Sequence, residues 1–305
     1  MRNALINSIW EMMKKDSNIY LLTADLGWWV LDLFLQELPK QCINVGIAEQ
    51  NMVGIAAWLA LEWKKVFCYS IVPFTIMRPY EQIRIDVCSH NLDVTLIGVW
   101  WGYAYGALGN THHGIEDINL MRWLPNMRIF CPADKQEMEL WLPYLLKNKG
   151  PAYIRLNRWW EENIHQSISG INIEEWVIMN VWIDILLLST GRIASVVKEL
   201  ISKFKENNIN ITAISIPSIK PINKNFLLSK IKEHKYIFTL EEHTIIWWLG
   251  SSVAEIIAEA WIAKIFKRFG IQDQFTYIAW DQEYMRKLAG IDTDSIYKEI
   301  TNIIQ

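Results

Sequence analysis

Short apolar runs alternate with helix-like segments along the first half of the chain. The runs have the length and the nearly continuous apolar character of strands that are buried on both faces. They lie at residues 18–25, 42–46, 65–70, 93–99, 127–132 and 151–156. Helical spacing of apolar residues appears between several of them, at 47–59, 79–88 and 134–146. This alternation is typical of a mostly parallel sheet covered by helices.

A second alternation follows a break in this pattern. Residues 157–182 are mixed in character, and their "HQSISG" is typical of a loop. Strand-like runs then lie at 184–190, 209–216 and 235–243, and helices are predicted at 193–207 and 251–266. The fold class is therefore expected to be α/β, with domains at residues 1–160 and 183–305 joined by a linker at 161–182.

Composition places the chain among globular proteins. Of its 305 residues, 51% are hydrophobic, and a net charge of −3 gives no general attraction to nucleic acid or to an anionic membrane. The four cysteines, at 42, 68, 88 and 131, form no closely spaced pair, so we expect reduced core thiols in a cytoplasmic protein. The charged N-terminal segment does not resemble a signal peptide, and the apolar runs are too short to span a membrane.

Glu49 is the first candidate site residue, within "NVGIAEQNMVGIAA" at residues 44–57. It falls in the first turn of a predicted helix, where a carboxylate stabilises the helix dipole without any further function. The same position follows a parallel strand, and ligand crevices of α/β proteins form at the carboxyl ends of such strands. A carboxylate flanked there by Ile47 and Met52 would be partly desolvated and could share a proton with a ring nitrogen.

Two adjacent histidines, His112 and His113, lie in "GALGNTHHGIEDI" at residues 106–118. One interpretation is a solvated loop, and another is a metal cluster that includes Glu116 and Asp117. A third is a substrate-facing loop in which an imidazole forms hydrogen bonds or transfers protons near pH 7.

Three further candidates carry weaker signals. Phe74 follows a predicted strand and either packs in the core or stacks on a flat ligand. Arg2 and Arg158 are either surface residues or guanidinium groups that bind phosphate.

Several segments, taken in order, resemble the C-terminal half of transketolase. They are "TAD", "VGIAEQNMVGIAA", "YSIVPF", "RPYEQIR", "NTHHGIED", "PAYIRLNR", "LLLSTGR" and "LEEHTII". The resemblance covers essentially the whole chain. It implies a pyrimidine-binding domain followed by the transketolase C-terminal domain.

The resemblance implies dependence on thiamine diphosphate. It implies that Glu49 hydrogen-bonds the aminopyrimidine ring of the cofactor and that Phe74 packs on this ring. Asp25 and Tyr69 match further residues of the cofactor site.

The resemblance also implies a sugar-phosphate substrate. His112 matches a histidine that faces cofactor and substrate, which makes it the second implied catalytic residue. Arg2 and Arg158 match arginines that hold the phosphate of the donor sugar. Trp100 and Leu108 stand where transketolases acting on common pentose phosphates carry His and Asp, which implies a different ketose or acceptor.

One half of the family's active site has no counterpart in the sequence. The chain contains no GDG-type segment followed by Asn, the part of the family that binds the diphosphate through a metal ion. The resemblance therefore implies a split enzyme, in which this chain pairs with an N-terminal, diphosphate-binding transketolase subunit that holds Mg²⁺ (or Ca²⁺). The expected assembly is a heterotetramer that contains a homodimer contact, and no metal site is expected in this chain.

Three alternatives stay open. A 2-oxo-acid dehydrogenase E1 β-like subunit and a deoxyxylulose-phosphate-synthase-like subunit share this pair of domains, and a non-catalytic assembly homologue would keep the fold without the activity. "NTHHGIED" and the paired arginines favour sugar phosphates, whereas the presence of Glu49 and His112 favours catalysis.

Tryptophan is abundant where the family typically has glycine. The chain contains 17 Trp and only 14 Gly, and Trp58, Trp63, Trp247 and Trp248 fall at such positions. In a turn that requires a positive φ, tryptophan is sterically strained whereas glycine is not. We therefore expect local strain or overpacking at these positions rather than an aromatic platform for a ligand.

Overall fold

The computed structural model describes residues 1–27, 29–157, 163–165, 168, 176–182 and 184–305. The strands in this part of the chain are β1 (Ile19–Thr23), β2 (Cys42–Asn44), β3 (Lys65–Ile71), β4 (Val94–Val99), β5 (Arg128–Phe130), β6 (Ala152–Leu156), β7 (Val177–Asn180), β8 (Asp184–Ser189), β9 (Thr212–Ser215), β10 (Ser218–Lys220), β11 (His234–Thr244) and β12 (Ile265–Ile271).

Helices connect most of these strands. They are α1 (Arg2–Lys15), α2 (Asp32–Glu37), α3 (Glu49–Leu61), α4 (Val72–Ile76), α5 (Tyr80–Gln82), α6 (Asp117–Trp123), α7 (Lys135–Lys147), α8 (Ala194–Glu206), α9 (Lys224–Glu233), α10 (Leu249–Glu259), α11 (Gln282–Leu288) and α12 (Thr293–Ile304). Helix α5 continues as a π-helical turn over Ile83–Cys88.

The first sheet has seven strands in the order β10-β5-β6-β4-β3-β1-β2. All neighbours are parallel except β10, which runs antiparallel to β5. Helices α3 and α6 pack on one face of the sheet, and α1, α2 and α7 pack on the other. Burial on both faces explains why the strands are apolar almost without interruption. The predicted α/β class is confirmed.

The second sheet has five strands in the order β12-β11-β8-β9-β7. Its neighbours are parallel except β7, which is antiparallel to β9. Helices α8 and α12 cover one face, and α9 and α10 cover the other. Both domains therefore have a mostly parallel sheet between layers of helices.

Three strands differ from what the sequence led us to expect. Strand β7 belongs to the second sheet, although it lies within the segment expected to be a linker. Strand β10 joins the first sheet, although it follows β9 of the second domain. The predicted helix over 251–266 is wrong at its end, because α10 stops at Glu259 and β12 begins at Ile265, where it pairs with β11.

The cysteines are buried and form no disulfide. Burial raises the pKa of Cys42 and of Cys88 to about 12, so neither thiol is ionised near neutral pH. Within the described ranges, no helix is long and apolar enough to cross a membrane. The cytoplasmic location stays a prediction.

A buried arginine joins the two domains. The Nη2 atom of Arg155 in β6 donates to Oδ1 of Asp117 at 2.9 Å, and the hydroxyl of Tyr153 donates to Oδ2 at 2.6 Å. The guanidinium lies between the rings of Trp101 and Trp248, whose centroids are 4.4 and 4.8 Å from Cζ. Because Trp248 precedes α10 of the second domain, this stack fixes the second domain against the end of the first sheet.

Among the described residues, five tryptophans adopt the left-handed backbone conformation, with φ between 54° and 67°: Trp29, Trp63, Trp100, Trp247 and Trp261. This confirms the strain expected at Trp63 and Trp247. Trp63 and Trp261 each come directly after the capping residue of a helix, and the next backbone N–H bonds back to the last helical turn at 3.1 and 3.2 Å. This is the helix ending in which glycine is strongly preferred.

Replacing Trp63 by glycine is expected to raise the free energy of unfolding by about 1 kcal/mol, because a left-handed conformation costs a non-glycine residue roughly 1–2 kcal/mol. The Trp63 side chain is 87% exposed, so little packing is lost.

Trp58 is 63% exposed in the interior of α3, and Trp58→Gly should lower the free energy of unfolding, since glycine is a poor helix former. Urea unfolding followed by circular dichroism measures both, and a destabilised Trp63→Gly would contradict the interpretation.

Candidate active site

Glu49 lies at the start of α3, beyond the carboxyl end of β2, and its side chain is only 2% exposed. Its carboxylate has one described ionic partner, Arg78, whose Nη1 atom lies 2.9 Å from both Oε1 and Oε2. A carboxylate buried to this degree requires such a partner, because desolvation of an unpaired charge is costly.

Arg78 also covers the ring of Phe74. Its Cζ atom lies 3.9 Å from the ring centroid, within the range of a cation–π contact. Phe74 belongs to α4, directly beyond the carboxyl end of β3, and Arg78 follows it four residues later, about one helical turn away. The Arg78 side chain is 44% exposed, so the guanidinium lies between the buried carboxylate of Glu49 and solvent.

His112 completes this group. Its ring centroid lies 5.2 Å from that of Phe74, with the ring planes 74° apart, and 5.8 Å from that of Tyr105. The Nδ1 atom is 2.9 Å from the hydroxyl of Thr111. Burial, together with the positive charge of Arg78, lowers the pKa of His112, so the imidazole is predominantly neutral at pH 7.

The structure thus brings together three residues that the sequence pointed to, Glu49, Phe74 and His112. Each comes from a segment after a different strand of one parallel sheet, and those strands end at the same edge. Sequence reasoning missed Arg78, although this residue begins the segment "RPYEQIR". The spacing of four residues from Phe74 was the available signal.

The other predicted site residues lie elsewhere around this edge. Asp25, at the end of β1, is exposed with φ of 52°, and its N–H donates to Oδ1 of Asn44 at 2.9 Å. Tyr69 is buried in the core beneath α1, where the guanidinium of Arg2 hydrogen-bonds its hydroxyl. Burial raises the pKa of Tyr69, and the charge of Arg2 partly offsets this effect. Arg158 lies outside the described residues.

The residues of the possible metal cluster point to different partners. His113 packs against the ring of Tyr103 at 5.0 Å, and Asp117 bonds to Arg155. Burial and the nearby carboxylate of Asp117 raise the pKa of Glu116 to about 7. Over the described ranges, no three His, Cys, Asp or Glu side chains converge as a metal site would require.

The second domain positions the loop that carries His112. Glu242 in β11 is fully buried, and its Oε1 accepts the N–H of Tyr103 at 2.7 Å. Gln282 and Arg286 donate to the same carboxylate at 2.8 and 2.7 Å. Gly102 has φ of 59°, and a Cβ there would lie 2.4 Å from the Glu242 side chain. Only glycine therefore allows the loop to approach this carboxylate so closely.

Comparison with known proteins agrees with this geometry. Residues 1–159 match the family "Transketolase, pyrimidine binding domain", and residues 175–296 match "Transketolase, C-terminal domain". The chain belongs to the transketolase family. It corresponds to the C-terminal half of that family of transferases, as the ordered segments of the sequence implied.

Two relatives have names that refer to part of a transketolase. One, a subunit of the apulose-4-phosphate transketolase of Actinobacillus succinogenes, is 39% identical over 86% of this chain and 85% of its own length. The other, "Putative transketolase C-terminal section" of Methanocaldococcus jannaschii, is 33% identical over 98% of this chain and 95% of its own. A solved "Split gene transketolase, inactive beta4 tetramer" superposes with a TM-score of 0.86 at 27% identity, covering 99% of this chain and 96% of that one.

Glu241, adjacent to Glu242, should make stability depend on pH. Burial raises its pKa from 4.5 to about 8, so the folded chain retains a proton that the unfolded chain releases above pH 4.5. The contribution of Glu241 to the free energy of unfolding should therefore be greatest below pH 4.5 and fall by at most about 1.4 kcal/mol per pH unit up to pH 8. Glu241→Gln should remove this part of the decline, whereas the exposed control Glu37→Gln should keep it. Equal slopes in chemical denaturation at pH 5 to 8 would contradict the assignment.

Proposed function

We propose that this chain is the C-terminal subunit of a split transketolase, which transfers a two-carbon ketol unit between sugar phosphates with thiamine diphosphate as cofactor. The observation that carries the proposal is the Glu49–Phe74 slot, defined by the buried carboxylate of Glu49 and the ring face of Phe74. Both contact one flat group rich in N–H donors, the guanidinium of Arg78.

The slot fits the aminopyrimidine ring of the cofactor. Such a ring is also flat and also carries N–H donors, so it can stack on Phe74 while it donates to Glu49. When bound, thiamine diphosphate supplies the electron sink for breaking the carbon–carbon bond next to a ketose carbonyl.

We assign the following roles to the residues of this chain. Glu49 accepts a hydrogen bond from the ring and exchanges a proton at a ring nitrogen, in a position from which water is excluded by burial. Phe74 sets the plane of the ring. His112 is neutral near pH 7 because its pKa is lowered, so it can take up a proton from a sugar hydroxyl.

Four further residues keep their predicted roles as part of the proposal. Asp25 and Tyr69 contribute to the cofactor site, and Arg2 and Arg158 bind the phosphate of the donor sugar.

The diphosphate and its metal ion are assigned to a partner, the N-terminal transketolase subunit. The relatives named as one subunit or as a C-terminal section of a transketolase support this division. We propose a heterotetramer in which two copies of this chain also contact each other.

Removing the Glu49 carboxylate should nearly abolish the reaction. In the chain reconstituted with its diphosphate-binding partner, Glu49→Gln is expected to lower kcat by at least about 10²-fold, a typical contribution of general acid–base catalysis. Ketol transfer between a ketose phosphate and an aldose phosphate is the measurement, and exposed Glu81→Gln is the control. An unchanged rate would refute the role of Glu49, and turnover by this chain without a partner would refute the split enzyme.

His112→Asn tests the proton transfer separately. It is expected to lower kcat by about 10²-fold while the Kd for thiamine diphosphate stays near that of the wild type, since the slot is intact. His90→Asn is the matched control, because His90 is exposed on the turn before β4. A parallel loss of cofactor binding would show that His112 supports the slot rather than the substrate.

A further inference from the structure

The Glu49–Phe74 slot is filled by the protein itself. A single atom of Arg78, Nη1, lies 2.9 Å from both carboxylate oxygens of Glu49. The same guanidinium lies 3.9 Å from the ring centroid of Phe74, which is the separation of stacked planar groups. An aminopyrimidine that stacked on this face and bonded to this carboxylate would occupy the same space.

We propose that Arg78 is an internal stand-in for the cofactor ring, which holds the slot in the chain without cofactor and must swing outward before an aminopyrimidine can enter. This inference rests on the proposed function, since it takes the slot to be the site of the cofactor ring. The inference adds that the guanidinium of Arg78, a group of the chain itself, competes with the cofactor ring for that site.

The burial of the two partners explains why an arginine suits this role. Glu49 is 2% exposed, so without a cation nearby its charged carboxylate would be neither hydrated nor paired. The Arg78 side chain is 44% exposed and already partly hydrated, so outward movement brings its guanidinium into more water and costs only the ion pair and the ring contact. The buried member of the pair is therefore fixed and the half-exposed member is the one that can move.

Replacement of Arg78 by the cofactor ring also affects His112. It contacts Phe74 edge to face, and the charge of Arg78 contributes to its lowered pKa. Outward movement of Arg78 removes a positive charge from beside this imidazole. Entry of the cofactor ring is thereby coupled to the pKa of His112, which rises when the positive charge of Arg78 moves away.

The isolated full-length chain allows a direct test, because this chain alone forms the slot. The probe is 4-amino-2,5-dimethylpyrimidine, and its Kd is measured by saturation-transfer NMR. If the slot of the wild type is open in about a tenth of the molecules, Arg78→Ala should bind the probe about tenfold more tightly. Arg84→Ala, which changes an exposed arginine one and a half turns further along, should match the wild type.

Competition identifies the slot. Methylguanidinium should displace the probe from Arg78→Ala, because it restores the lost group in the same place. Circular dichroism checks that each variant is folded, and Arg78→Gln replaces Arg78→Ala if the latter is not. Equal or weaker probe binding by the folded variant, or no binding by any variant, would overturn the proposal.

A second measurement separates this inference from the proposed function. In the chain paired with its diphosphate-binding partner, the association rate of thiamine diphosphate, followed by tryptophan fluorescence, should rise in Arg78→Ala and not in Arg84→Ala. An unchanged or slower association would also overturn the stand-in role. If the pair binds the cofactor but transfers no ketol unit, the proposed reaction fails while the comparison of the variants still decides the role of Arg78.

Discussion

The contact on which most of the structure depends is the stack of Trp101, Arg155 and Trp248. A fully buried guanidinium is tolerated because Asp117 neutralises it and two indole rings cover its faces. The three members of the stack and Asp117 come from four different parts of the chain: the loop after β4, strand β6, the turn before α10 and the start of α6. Loss of one member would leave a charge or a cavity where the two domains meet.

This contact extends to the candidate site through the loop after β4. The loop begins beside the stack at Trp101, and a pair of backbone hydrogen bonds between Gly102 and Gly114 closes it. Glu242 of the second domain holds the loop at Tyr103. The contact between Glu242 and Tyr103 fixes the loop that carries His112, and His112 faces Phe74 from this loop. The second domain thus supports a loop of the candidate site, although the slot itself lies in the first domain.

The fold and the site could be anticipated to different degrees for physical reasons. The apolar runs at β3 and β4 revealed buried parallel strands, and the strand-to-helix position of Glu49 indicated an edge where ligands bind. The helix predicted over 251–266 runs into the first two residues of β12, because "IFKRFGI" has no apolar alternation strong enough to indicate a strand and pairing with β11 determines its conformation. The bond between Arg78 and Glu49 joins segments 29 residues apart, so no local pattern encodes it.

The pairing of Glu49 with Arg78 also bears on how the carboxylate that we propose to be catalytic can reside on a separate subunit. Within one long chain, the groups that neutralise such a carboxylate can fold with it. On a separate subunit the carboxylate is already buried, at 2% exposure, before any partner contributes to the site. A charge in that position destabilises the chain unless the chain provides its own cation. An arginine within one turn of Phe74 meets this need while remaining half in solvent, and so able to leave. In the proposed stand-in role, Arg78 sets both the stability of the free subunit and the access of the cofactor.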